Sequence, residues 1–252
     1  MKEKLYTIPV NDAVSADDEC PICNAQRSLE QDAIDYAIGP GASYMESDIR
    51  EMTDKAGFCQ RHFQMMHDYG NSLGNALILS SHIRKVAARL KKEMSSYKPA
   101  AKAGLFAKGG TSGESNVGKF IGDLEEKCFV CDYYRDTYRR YIATFFYLYE
   151  NDDAFAAKIA SGKGFCLPHM RELLDNASEY LKKDKLEEFT KTLFEVQSRN
   201  LDRIQEDIDW FVEKFKYENK DKDWKESKDA IPRSIQKLVG GYPADGPYTQ
   251  QN

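Results

Sequence analysis

Cys20-Pro21-Ile22-Cys23 followed by Gly57-Phe58-Cys59-Gln60-Arg61-His62 is one arrangement, and Cys128-Phe129-Val130-Cys131 followed by Gly164-Phe165-Cys166-Leu167-Pro168-His169 is the same arrangement again. Each reads C-x-x-C, a gap, then G-F-C-x-x-H. Together they use all six cysteines of the chain. Cys128 lies 108 positions after Cys20, and Cys166 lies 107 after Cys59. The gap from first to third cysteine is 39 residues in one copy and 38 in the other. A period this long does not suit a solenoid. It reads as a duplicated unit with a pseudo-twofold arrangement.

Thiolates and imidazole are a preferred donor set of zinc, which takes four ligands in a tetrahedron. Each copy supplies one complete set: Cys20, Cys23, Cys59 and His62 in the first, Cys128, Cys131, Cys166 and His169 in the second. Proximity along the chain assigns each foursome to its own copy and gives two zinc ions per chain. A C-x-x-C at a helix start aims both sulfurs to one side, where free backbone N–H groups stabilise thiolate charge. Four protein donors leave no open position for a substrate water, so the expected sites are structural. No catalytic residue is assigned, and a binding or adaptor protein is expected rather than an enzyme. The competing reading is an iron–sulfur or thiol-redox protein built on the same cysteines. Haem of the c type needs C-x-x-C-H, whereas Asn24 and Asp132 follow the second cysteines.

The rest of the chain reads as all-α. Apolar residues recur at helical spacing from Leu73 to Met94, and again from Leu186 to Phe215, where they predict a helix of about 30 residues. A first helix is expected from near Cys23 to Gly39-Pro40-Gly41, with Gly57 and Gly164 as helix C-caps and Asn71 and Asp184 as N-caps. Tyr134, Tyr138, Tyr141, Phe145 and Leu148 form a stripe expected to face the core. Asp17-Asp18-Glu19 reads as a solvated acidic approach to a helix. The expected organisation is a first metal-binding repeat over 1–97, a flexible glycine-rich linker over 98–118, a second repeat over 119–217, and a tail over 218–252 with one short helix from Ile231 to Val239.

At a net charge of −5, the chain gives no global electrostatic reason to bind nucleic acid or an anionic membrane. Neither a secretory h-region nor a run of 18 apolar residues is present, so a cytoplasmic setting is expected, where thiols stay reduced. A protein partner or small ligand is expected between the halves.

The paired C-x-x-C and Gly-Phe-Cys-x-x-His segments, with the tail Ser227-Lys228-Asp229-Ala230-Ile231-Pro232-Arg233, resemble a family of bacterial proteins defined by a domain of unknown function. Some of its members carry the label of ABC-transporter substrate-binding proteins. The resemblance covers most of the chain except the linker and implies no established activity.

Overall fold

The computed structural model describes residues 6–98 and 115–241. Most of the expected linker and the end of the tail lie outside the described residues. Those described form eleven α-helices joined by short loops and 3-10 turns, with no strand. The all-α expectation is met.

The chain divides into two compact units, and the division does not follow the two sequence copies. One unit takes in residues up to Leu29 together with those from Asp136 onward; the other is Glu30–Arg135. The chain passes from one unit to the other within α2 (Pro21–Ile38) and again within α7 (Phe129–Asn151). Each copy therefore contributes to both units, instead of forming the sequential repeats that 1–97 and 119–217 imply.

In the unit containing both termini of the described chain, α10 (Lys183–Glu213) is the spine. Its Phe189, Leu193 and Val196 are buried, and the Phe189 ring packs edge-on against Phe145, Phe146 and Tyr149 of α7. Phe145 is fully buried, with edge-on contacts to Phe155, Phe165 and Phe189. Phe146 stacks on Tyr180. Removal of one such ring costs about 3–5 kcal/mol, because a packed core does not close the hole. Tyr138, Tyr141 and Leu148 are buried with Phe145, so most of the tyrosine stripe is core. The helix begins after Lys182, which makes no side-chain cap; Asp184, expected as the cap, lies inside the first turn. There its negative charge still favours the positive end of the helix.

The tail is packed onto this unit. Trp224 packs on Phe211 and Phe215, and the Lys214 ammonium donates to the carbonyls of Asn219 and Lys220. Helix α11 (Ala230–Val239) then lies on α9 (Leu167–Tyr180) and α10. Buried Arg233 pairs with Asp207 on α10 and Asp229 before its own helix. That explains the Asp229-to-Arg233 spacing in the tail motif: i and i+4 share one helix face.

The other unit holds α3 (Ser47–Ala56), α4 (Gln60–Tyr69), α5 (Ser72–Ser95), α6 (Asn116–Glu125) and adjoining parts of α2 and α7. Its core gathers Ile34, Ile38, Met66, Ile78, Phe129 and Val130. Asn71 caps α5 as expected, accepting from the Gly74 N–H at 2.9 Å. Helix α6 starts inside the stretch expected as linker, capped by Ser115. No described helix is long and apolar enough to cross a membrane.

Candidate metal centres

All four motifs adopt one local form. The carbonyls of Cys20, Cys59, Cys128 and Cys166 accept the first helical hydrogen bonds, from Asn24, Phe63, Asp132 and Met170. Each of these cysteines therefore stands at the N-cap, and the second ligand of its motif stands three residues on, in the first turn. Cap and first-turn side chains converge there, in the position of the Ser and Glu of a capping box. The Cys131 N–H points to the Cys128 sulfur at 3.5 Å, a thiolate in the cap acceptor's place. Four positively polarised helix ends thus face the sulfurs.

The structure brings these ends together across the copies. Cys20 and Cys23 meet Cys166 and His169; Cys59 and His62 meet Cys128 and Cys131. Every sequence-predicted ligand is in a cluster of three cysteines and one histidine, but the partners differ from those expected. Each C-x-x-C joins the C-x-x-H of the other copy. Each cluster also lies wholly within one compact unit.

In the first cluster His169 Nδ1 lies 3.3, 3.4 and 3.1 Å from the sulfurs of Cys20, Cys23 and Cys166, and the last two sulfurs are 3.7 Å apart. In the second, His62 Nδ1 lies 3.2, 3.1 and 3.5 Å from Cys59, Cys128 and Cys131. A single zinc ion, with bonds of about 2.3 Å to sulfur and 2.0 Å to nitrogen, sets tetrahedral edges of about 3.8 and 3.5 Å. The donor sets fit one such ion each, and all six thiols are free of disulfides.

Charge placement agrees with a cation at each centre. Burial alone would lower the His62 pKa; the hydrogen bond with Cys128 and the Glu30 carboxylate 3.6 Å from Nε2 raise it to about 10. Burial likewise opposes, and the Cys166 and Cys23 sulfurs reverse, the shift of His169 to about 10. Cys128 falls to about 6 beside His62, against the effect of burial, while burial and the neighbouring Cys128 push Cys131 up to about 12. Hydrogen bonds from Cys166, Cys20 and His169 lower Cys23, and burial pushes Cys20 well up. Each cluster is therefore a nest of competing acceptors with one imidazole to share.

The glycine of G-F-C is required by conformation. Gly57 has φ +65° and ψ −161°, and a Cβ there would stand 2.9 Å from the His82 ring on α5. Gly164 has φ +77°, and its Cβ would meet Gln197 Oε1 on α10 at 3.0 Å; that same oxygen accepts from Phe165 N–H. Gly57 ends α3 as expected, but α8 (Asp153–Ser161) ends at Gly162, so Gly164 serves the loop alone.

The surroundings distinguish the two centres. Around the first, Asp17 of the acidic run is exposed as expected, but Asp18 and Glu19 are not solvated. Asp18 accepts from the Cys20 N–H at 2.9 Å and from Gln236 at 2.7 Å. Glu19 is 3% exposed and pairs with Arg203 and Lys237. The Lys237 ammonium, 1% exposed, donates to the Glu19 carbonyl at 2.7 Å and the Lys163 carbonyl at 2.6 Å, tying together the loops that carry Cys20 and Cys166. At the end of the same helix, a Cβ on Gly240 would stand 3.4 Å from the Cys166 sulfur. Helix α11 closes this centre. Around the second, Cys59 and Cys131 are half-buried, and the Glu30 carboxylate lies 3.6 Å from His62 Nε2. A carboxylate behind a ligating imidazole fixes its tautomer and raises its basicity. No sequence signal marked Lys237, Gly240, Gln197 or Glu30; their roles depend on which helices meet.

A family model matches residues 1–245, through both copies and the tail. The chain belongs to DUF6062, a family of unknown function. No curated protein and no solved structure matches it.

Proposed function

We propose that this DUF6062 member is a cytoplasmic zinc-binding protein in which two ions act as structural clamps, and that it serves as a binding or adaptor protein rather than an enzyme. The observation that carries this reading is closure. Each cluster offers four protein donors within 4.8 Å of one another, and the four around His169 are all buried. A closed tetrahedron leaves no position for substrate, so the ion would contribute folding energy. The pairing supports the same role, since each ion would join helix starts more than 60 residues apart in sequence. A multi-iron cluster interposes iron and sulfide between its ligands and holds them further apart than one ion does, which favours zinc over the iron–sulfur reading. Elemental analysis of anaerobically purified protein tests the proposal. About two zinc per chain and a colourless solution are expected; a brown protein containing iron and acid-labile sulfide would overturn it.

A further inference from the structure

A cavity of about 510 Å³ opens in the Glu30–Arg135 unit beside the second cluster. Its walls come from α2, α3 and α7: Tyr36, Met52, Phe129 and Tyr133, with Lys55 and Lys127 among the lining residues. The three aromatic rings are nearly parallel. Tyr36 lies 6.4 Å from Phe129 at 10° and 6.4 Å from Tyr133 at 13°. Tyr36, Met52 and Tyr133 are each more than 40% exposed, an unusual investment of large apolar side chains in one surface patch. Neither lysine has an ion-pair partner among the described residues, whereas the carboxylate in the lining, Asp132, faces Arg135 at 3.6 Å.

We propose that this cavity binds a small planar aromatic anion. The volume falls in the range of small-ligand sites, the apolar walls carry flat faces for stacking, and the two unpaired ammonium groups supply the charge complement. In a chain of net charge −5, two unpaired lysines at one apolar opening favour an anion over a neutral or cationic ligand. The cavity is also joined to the second cluster by covalent structure. Phe129 lies between Cys128 and Cys131 in the first turn of α7, and Lys55 and Ala56 run directly into Gly57-Phe58-Cys59. A backbone bond from Phe129 N–H to the Gly57 carbonyl, 2.9 Å, fastens these two segments to each other. The ligand class rests on the cavity alone and stands whichever metal occupies the cluster.

Calorimetric titration of the full chain with 2-naphthoate, and with its neutral methyl ester, tests the proposal. Saturable one-site binding of the acid is expected, with the ester weaker by roughly tenfold, as for loss of two partly screened charge contacts. Lys55→Gln/Lys127→Gln should bring the acid down to the affinity of the ester, and Lys91→Gln, on an exposed face elsewhere in the unit, should change nothing. Tyr36→Ala should weaken both compounds by roughly tenfold; the lost stacking on Phe129 and Tyr133 should lower the melting temperature by only a few degrees, with metal content at the wild-type value. Absence of saturable binding, equal affinity for acid and ester, or undiminished binding in the double lysine variant would overturn the proposal.

Discussion

Lys237→Met probes the closure of the first centre. The substitution keeps the volume of the aliphatic stem and deletes the ammonium. That removes the donor to the Glu19 and Lys163 carbonyls, and the 3.1 Å ion pair to Glu19 Oε2. The carboxylate itself keeps Arg203 at 2.6 Å, so no bare charge is left behind. The cost is then set by two carbonyls. The Glu19 carbonyl is deeply buried and loses about 1–3 kcal/mol; that of Lys163 is partly buried and loses less. A total of about 3 kcal/mol lowers the melting temperature of a chain this size by roughly 6–12 °C. Metal release is the more specific readout. If an ion leaves through local opening, about 3 kcal/mol speeds release by roughly 100-fold. Transfer of zinc to a colorimetric chelator should show two phases in the wild type, and Lys237→Met should accelerate only the slower, from the buried cluster. Release at the wild-type rate, or equal acceleration of both phases, would refute the role given to Lys237.

Two further outcomes follow from the site geometry. Gly57→Ala should cost about 2–4 kcal/mol, because φ +65° with ψ −161° is open essentially only to glycine and the methyl group meets His82 at 2.9 Å. Gly70→Ala, in open space in the ordinary left-handed region, should cost about 1 kcal/mol in parallel urea melts. Zinc uptake by the second cluster should tighten as pH rises through neutrality: His62 (pKa about 10) and Cys131 (about 12) hold protons at pH 7 that the ion must displace, while Cys128 (about 6) is largely ionised. Proton release on titrating zinc into weakly buffered apoprotein measures this; uptake without proton release would contradict it.

The helices and the residues that make up the two clusters were legible in the sequence; their grouping was not. Periodicity marked α10, which buries Phe189, Leu193, Val196 and Ile204 on one face. It marked α5 as well, although Leu73, Ile83 and Met94 of that stripe are exposed. Pro232 in the first turn marked α11, whose buried face is Arg233, Gln236 and Lys237 while Ile231, Ile235 and Leu238 are exposed. Eight residues of ligand chemistry, with no cysteine left over, marked the centres. Proximity then suggested that each C-x-x-C finds the C-x-x-H of its own copy, and the physics behind that expectation is weak. Loop-closure entropy grows only with the logarithm of length, so joining Cys23 to Cys166, 143 residues away, instead of to Cys59 costs about 1 kcal/mol more. A single well-packed helix contact outweighs that. Glu19 was misread for a related reason. A carboxylate is solvated unless cations converge on it, and Arg203 and Lys237 come from about 180 and 220 residues further along the chain.

Zinc content of two triple variants tests the cross-copy pairing directly. Cys20→Ser/Cys23→Ser/Cys166→Ser places all its damage in one cluster as the structure groups them, and should retain about one tightly bound zinc per chain. Cys20→Ser/Cys23→Ser/Cys59→Ser damages both clusters and should retain none after gel filtration. The opposite result, an ion kept by the second variant and none by the first, would place each foursome within its own copy and contradict the account.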